Sequence, residues 1–458
     1  MIKTINPATG RDIQAFELMT NRQVSEIIEQ AVSAQVSWRA RTYEQRGKYL
    51  KKVADLLRQK KKELAELMAE EMGKPLAQGE SEAEKCAWVC EYYADHAEEF
   101  LEDEPVSTDA SRSYVHFEPL GVILSIMPWN YPLWQVLRFS APALMAGNGV
   151  ILKHSENTTG CSLMIEKIMH QAGIPAELFR SIIVEVDQVK EVIENKGIAA
   201  VTLTGSTRAG KAVASQAGAA LKKTVLELGG SDPYIILEDA NLDKAAEKCV
   251  TSRLLNSGQS CIAAKRFVVV DQVYDSFVSK VKKLLSDKKI GDPFDQHTDV
   301  GPMARTDLRD ELHKQVQKST EQGAECVLGG KIPEQEGAWY PVTLLTNVKK
   351  GMPAYQEELF GPVAAVIRVN DEEEAIRVAN DSVYGLGGAV FSEDIEKAEA
   401  IASEKLQAGC CFVNDFVRSD PRLPFGGLKQ SGYGRELSKY GIREFVNCKT
   451  VYVSKQGD

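Results

Sequence analysis

The chain has 458 residues, 43% hydrophobic and 26% charged, with a formal net charge of −10 and a pI of about 5.4. At ~100–200 residues per domain, this length supports two or three domains with ample core. The absence of a basic block that could neutralise phosphates argues against a nucleic-acid partner. The stretch from Met1 to Pro7 turns polar at once, and the most apolar run, Gly121–Met127, is too short to span a bilayer, so no membrane partner and a cytoplasmic location are expected. Nine cysteines without CxxC spacing read as reduced thiols, and six histidines without an HExxH pair give no reason to expect a metal.

Two helical patterns open the chain. The first follows a Thr20 or Asn21 cap and puts Val24, Ile27, Ile28, Ala31 and Val32 on one face. The second carries Leu50, Val53, Leu56, Leu57, Leu64, Leu67 and Met68, and stops at Gly73-Lys74-Pro75. Ser107 to Val115 is polar and β-prone. From about residue 120, short apolar runs alternate with helical segments, the pattern of parallel strands with crossover helices. The runs are Gly121–Met127, Val150–Leu152, Ser181–Val184, Ile198–Leu203 and Thr224–Leu228. A second series has strands at Tyr234–Leu237, Phe267–Val270, Val363–Val369, Gly387–Phe391 and Cys411–Val413, with helices near 241–256, 274–286, 307–322, 371–380 and 394–405. The fold class is therefore α/β with two doubly wound units. Lys449–Val453 is another strand candidate; it and the 107–115 segment stand outside both series, and such strands pair with something, a subunit neighbour included.

Four segments place a reactive or conformationally special residue at a strand end. In Pro128-Trp129-Asn130-Tyr131-Pro132, Asn130 either caps the following helix or offers an amide to developing negative charge. Thr204-Gly205-Ser206 opens a helix and can hold a dinucleotide phosphate on backbone N–H groups, although it is not GxGxxG. Glu227 ends an apolar strand, where burial raises a carboxyl pKa toward that of a general base; a solvated strand-end carboxylate is the plainer reading. Cys261 follows a Gly-Gln turn and is a candidate nucleophile, against the alternative of an inert buried thiol.

Together and in this order, these segments resemble the aldehyde dehydrogenase superfamily along essentially the whole chain. The matching elements are Pro128–Pro132, Lys153, Thr204–Ser206, Glu227–Gly230, Gly258–Cys261, Glu358-Leu359-Phe360-Gly361-Pro362 and Pro424–Gly427. The resemblance implies that Cys261 attacks the aldehyde, that Asn130 and the Cys261 N–H hold the oxyanion, and that Glu227 activates the water that hydrolyses a thioester. It implies a cofactor site of Pro128, Trp129, Lys153, Ser155, Glu156, Thr204, Gly205, Ser206, Leu228, Glu358 and Phe360. Glu156, able to accept both ribose hydroxyls and to repel a 2′-phosphate, makes NAD the expected cofactor, while Arg208 could welcome that phosphate and leaves NADP possible. Ser181–Val186 departs from the glycine-rich turn many relatives carry near the adenine.

By the same resemblance, residues 1–104 and 120–229 form the NAD(P)-binding domain, 230–440 the catalytic domain, and 105–119 with 441–458 a small β oligomerisation element of a homodimer or homotetramer. Arg138 and Ser419 stand where succinate-semialdehyde dehydrogenases bind the substrate carboxylate, whereas Leu255 replaces the second arginine some of them carry and Ala263 a second cysteine. Succinate semialdehyde is thus the expected substrate, with glutarate semialdehyde or another aliphatic aldehyde as alternatives. Other classes are a thiol acyltransferase or hydrolase using Cys261, a CoA-acylating relative, and a binding protein that has lost catalysis.

Overall fold

Apolar runs that are buried on both faces form parallel sheets covered by helices. The structure, a computed structural model, builds two such sheets and describes residues 1–454; residues 455–458 of the expected C-terminal segment lie outside the described residues. In the first sheet, parallel strands run in the order Lys223–Glu227, Ile198–Thr204, Val122–Met127, Gly149–His154 and Phe179–Ser181, and Gly432–Tyr433 joins antiparallel beside Lys223–Glu227. Ile126 stands opposite both Lys153 and Leu203, and Thr204 opposite Glu227, so the C-terminal ends of four strands share one edge. The chain passes to opposite sides of Val122–Met127, and such a switch point is where open α/β sheets bind ligands.

The second sheet has seven strands, in the order Glu325–Leu328, Thr343–Thr346, Val363–Val369, Ala264–Val270, Asp232–Ile236, Gly387–Phe391 and Cys410–Val413, parallel except for the first pair. Ala264–Val270 and Val363–Val369 are neighbours, so the loops that enter them bring Cys261 and Glu358 to one edge. A third sheet pairs Arg112–Pro119 with Val446–Val453 over its full length, and with Glu104–Pro105.

Thr20 caps the helix Asn21–Arg39 in a reciprocal box with Gln23, while Val32, expected on its buried face, is 37% exposed. The pattern from Leu50 to Met68 is two helices, Tyr43–Gln59 and Lys61–Met72, broken at Lys60. The second ends at Gly73 in the left-handed region (φ 76°), where a Cβ would lie 2.7 Å from Pro302. Expected Ser181–Val184 is strand only over Phe179–Ser181, and the last of the expected helices, Ile395–Ala400, runs into a π-helical turn, Ile401–Lys405. The N-terminal hairpin Ile2–Ile5/Asp12–Phe16, the strands Glu325–Leu328 and Thr343–Thr346, and the 25-residue helix Leu76–Phe100 are absent from the sequence reading. No helix among the described residues is long and apolar enough to cross a membrane.

Candidate active site

The loop that carries Cys261 is built under strain. After the helix Leu242–Leu254, Asn256 and Ser257 both take left-handed φ values of 55°, followed by Gly258 at 77°. A non-glycine residue in that region costs roughly 1–2 kcal/mol, so neighbouring groups must hold it. Gln78 accepts from the Asn256 N–H (2.6 Å), the Ser257 hydroxyl accepts from the Gly301 N–H (3.0 Å), and Gln259 Oε1 accepts from the Ala304 N–H (2.9 Å). A Cβ at residue 258 would lie 2.3 Å from the Gly361 carbonyl oxygen, which leaves glycine as the residue that fits. Lys265, wholly buried, donates from Nζ to the carbonyls of Ser260 (2.8 Å) and Cys261 (2.7 Å) and lies 3.3 Å from Glu358. One ammonium thus fixes both the thiol loop and the Glu358 carboxylate; the sequence reading passed over it.

Asn130 does not cap the helix that follows. That helix, Trp134–Ala146, is capped from outside by Glu82, whose carboxylate accepts from the N–H groups of Leu133 and Trp134 at 2.9 Å each. The Asn130 side chain instead donates to the Gln259 carbonyl (3.0 Å), and the Asn130 backbone carbonyl accepts from the Asn256 side chain (2.6 Å). Its amide therefore lies against the Cys261 loop and is buried, as an oxyanion donor must be.

Two cavities meet at Cys261. The first, about 270 Å³, is walled by Pro128, Trp129, Asn130, Thr204, Gly205, Ser206, Leu228, Glu358 and Phe360. Trp129 and Phe360 pack edge to face (5.8 Å between centroids). Ser206 caps the 13-residue helix Thr207–Ala219, and beside it Gly205 leaves the wall open, with only a Leu203 methyl within 4 Å of where its Cβ would be. Gln135, on the wall of both cavities, has a buried Oε1 with no partner. A helix N-terminus, an open glycine and a carboxylate braced by Lys265 and the Gly230 N–H (3.0 Å) fit a dinucleotide's phosphates and ribose. Lys153, Ser155 and Glu156 stand one strand further along the same edge, outside this wall: Lys153 is buried, Glu156 is exposed, and the Ser155 hydroxyl donates to Asn157 (2.8 Å).

The second cavity, about 230 Å³, is lined by Tyr131, Trp134, Leu255, Phe416 and Phe425, with Glu82, Lys85, Arg138 and Arg418 as its charged groups and Ser419 among its neutral polar ones. Arg138 and Ser419 are thus brought together as expected sites in one cavity with Cys261. Arg138 is not a surface residue. It is 2% exposed, stacks on Phe425 (4.7 Å) and forms an ion pair through Nε with the equally buried Glu436. Lys85 and Glu436 were not found from the sequence.

Burial sets the charges. The Cys261 thiol is pushed up to about 12 by desolvation, opposed by the positive charges of Lys265 and Arg138. Glu227 is fully buried on neither cavity wall, with both carboxylate oxygens lacking a hydrogen bond. Its pKa is raised by that burial and by Glu436, and lowered by Arg138 and Arg435. A Cβ at Gly426 would lie 2.7 Å from Glu227 Oε1, so the glycine makes the niche in which this carboxyl rests.

Residues 1–451 match the family model described as the aldehyde dehydrogenase family. The chain is 47% identical over 453 residues to a probable succinate-semialdehyde dehydrogenase [NADP(+)] of Synechocystis, covering 99% of this chain and 100% of that protein. It is 43% identical to a succinate semialdehyde dehydrogenase [NAD(P)+] of Escherichia coli, over 98% of this chain and 97% of that one. Among solved structures, succinic semialdehyde dehydrogenase from Streptococcus pyogenes in complex with NADP+ superimposes with a TM-score of 0.97 at 39% identity, covering 99% of this chain and 100% of that chain. The α/β architecture, the thiol at the junction of two cavities and these similarities agree: the chain belongs to the aldehyde dehydrogenase family and is an NAD(P)-dependent oxidoreductase of aldehydes.

Proposed function

We propose that the chain oxidises succinate semialdehyde to succinate through a covalent intermediate on Cys261. The observation that carries this reading is the position of Cys261 between a cleft shaped for a dinucleotide and a largely apolar cavity whose cations are Lys85, Arg138 and Arg418, with Ser419 among its neutral polar groups, beside a Glu82 already engaged elsewhere. Such a cavity suits a short aldehyde with a carboxylate at its far end. The similar enzymes named for this substrate support the same reading.

In the first half-reaction, the Cys261 sulfur adds to the aldehyde carbonyl. Burial holds the thiol protonated at rest, and Lys265 and Arg138 are the cations that favour the thiolate as substrate arrives. The Asn130 amide turns from the Gln259 carbonyl to the new oxyanion, joined by the Cys261 N–H. Pro128, Trp129, Thr204–Ser206, Leu228, Glu358 and Phe360 would hold the nicotinamide cofactor, with Lys153, Ser155 and Glu156 toward its adenosine end, and when bound it would supply the hydride acceptor for oxidation of the Cys261 thiohemiacetal to a thioester. Glu227, leaving its niche beside Gly426, then takes a proton from the water that hydrolyses the thioester.

Glu156 favours NAD, whereas Arg208, exposed and without an ion-pair partner among the described residues, favours a 2′-phosphate; we take both cofactors as used. Val446–Val453 leaves one edge of its sheet open, and pairing there builds a homodimer or homotetramer. The free cysteines suit a cytoplasmic setting.

Reduced-nicotinamide absorbance with succinate semialdehyde, glutarate semialdehyde and butanal, with NAD or NADP and with or without CoA, tests the reading. Succinate semialdehyde is expected to exceed butanal by about tenfold or more in kcat/KM, the worth of one charge-assisted hydrogen bond, without CoA. Equal values for the two would overturn the substrate assignment.

A further inference from the structure

The helix Leu76–Phe100 brings Lys85 to the wall of the cavity that holds Cys261. Its Nζ donates to the Ser419 hydroxyl (2.8 Å) and lies 4.2 Å from the centre of the Trp134 ring. The other charged groups on that wall are already matched. Glu82 pairs with buried Lys74 and caps the Trp134–Ala146 helix, Arg138 pairs with Glu436, and Arg418 pairs with Asp415 (2.7 Å). Lys85 has no ion-pair partner among the described residues. An ammonium carries three donors, and here one goes to Ser419, which leaves the others free for a ligand in the cavity.

Lys85 is half-buried, and a cation partly withdrawn from water without a counter-ion gains from a ligand that supplies one. Burial and the nearby Arg138 accordingly lower the Lys85 pKa to about 8, which leaves it mostly charged at neutral pH. The Trp134 ring beside the ammonium adds a cation–π contact that holds Lys85 on this wall.

We infer that Lys85, with Ser419, is the principal grip on the distal carboxylate of the substrate, and that Arg138, already bound to Glu436, is the lesser one. This rests on the succinate-semialdehyde reading above. It assigns substrate choice to a residue of the long helix, remote in sequence from the nucleophile.

The test is steady-state kinetics of wild type, Lys85→Met and Lys85→Arg with succinate semialdehyde and butanal, together with inhibition by succinate. Lys85→Met is expected to raise the KM for succinate semialdehyde and the succinate inhibition constant by about 10- to 150-fold, the range for a lost charge-assisted hydrogen bond, with kcat much less affected. Butanal kinetics should move less than about threefold, which also reports an intact fold, and Lys85→Arg should recover most of the loss. Equal shifts for both aldehydes, or an unchanged succinate constant in Lys85→Met, would overturn the inference while leaving the substrate reading standing. A wild-type enzyme with no preference for succinate semialdehyde over butanal would overturn both.

Discussion

Replacing Arg138 by methionine tests how one cation serves both the substrate cavity and the carboxyls behind it. Arg138 is 2% exposed, is paired with Glu436 at 3% exposure, and acts on the buried Glu227. Removing one partner of a buried ion pair costs about 3–5 kcal/mol, more than the roughly 1.5–3 kcal/mol of a charge-assisted bond to substrate. The larger effect decides the phenotype: Arg138→Met lowers stability and impairs every aldehyde, where a purely substrate-binding arginine would spare butanal. Adding Glu436→Gln removes the orphaned charge and restores most of the stability. Glu436 already has a raised pKa through burial, with Arg138 opposing the rise. A carboxyl whose folded pKa exceeds its unfolded value contributes stability in acid and loses it as pH rises through the folded pKa. The deficit of Arg138→Met therefore deepens from pH 6 toward pH 9, and the deficit of the double variant does not. Thermal unfolding of wild type, both single variants and the double variant measures this, at roughly 2–4 °C per kcal/mol for a domain of 150–250 residues. A single variant that unfolds with wild type, or a double variant no more stable than Arg138→Met, would refute the reasoning.

Asn130→Ala removes one oxyanion donor and should slow formation of reduced nicotinamide by ~10²–10³ in single-turnover stopped flow; a normal rate with lowered stability would make the residue a strut for the Gln259 loop. Gly258→Ala puts a methyl 2.3 Å from the Gly361 oxygen at a left-handed φ, and should displace Cys261, seen as lost turnover and an altered alkylation rate of that thiol. For pH, Lys85 faces Glu82 and Cys86 on its own helix, Arg138 across the cavity and Asp420 beside Ser419, and its pKa near 8 means that charge is lost as pH rises. The ratio of kcat/KM for succinate semialdehyde to that for butanal should fall by up to about tenfold between pH 7 and pH 9, the change in protonated fraction, and stay flat in Lys85→Arg. A flat wild-type ratio would count against Lys85 as the grip.

The parallel strands were readable because each is a continuous apolar run between glycine or helix signals: Val363–Val369 and Gly387–Phe391 fall at the expected bounds. Leu76–Phe100 was not, because its buried face is made of small residues such as Gly79, Ala83, Cys86, Ala87 and Cys90, which give a weak hydrophobic period, and Pro75 precedes it without a side-chain cap. Its loss from the reading hid both Lys85 and Glu82. The break at Lys60 carries no glycine or proline to announce it. For the site, Cys261 and Asn130 were singled out through short segments with distinctive residues and Arg138 through the family resemblance, and the structure brings the three together at one junction. Which charges the fold encloses was not readable: Arg138 is buried against Glu436, and Lys85 half-buried against Ser419, across several hundred residues of chain, and a lone Lys or Glu in a polar stretch looks solvated until the fold closes over it.

Mass spectrometry of the Glu227→Gln variant, quenched in acid after mixing with succinate semialdehyde and NADP, bears most directly on the covalent mechanism. With the hydrolytic base removed, a burst of about one reduced nicotinamide per active site should accompany a succinyl group on the Cys261 peptide. A burst of reduced nicotinamide with Cys261 unmodified would contradict a thioester on this residue.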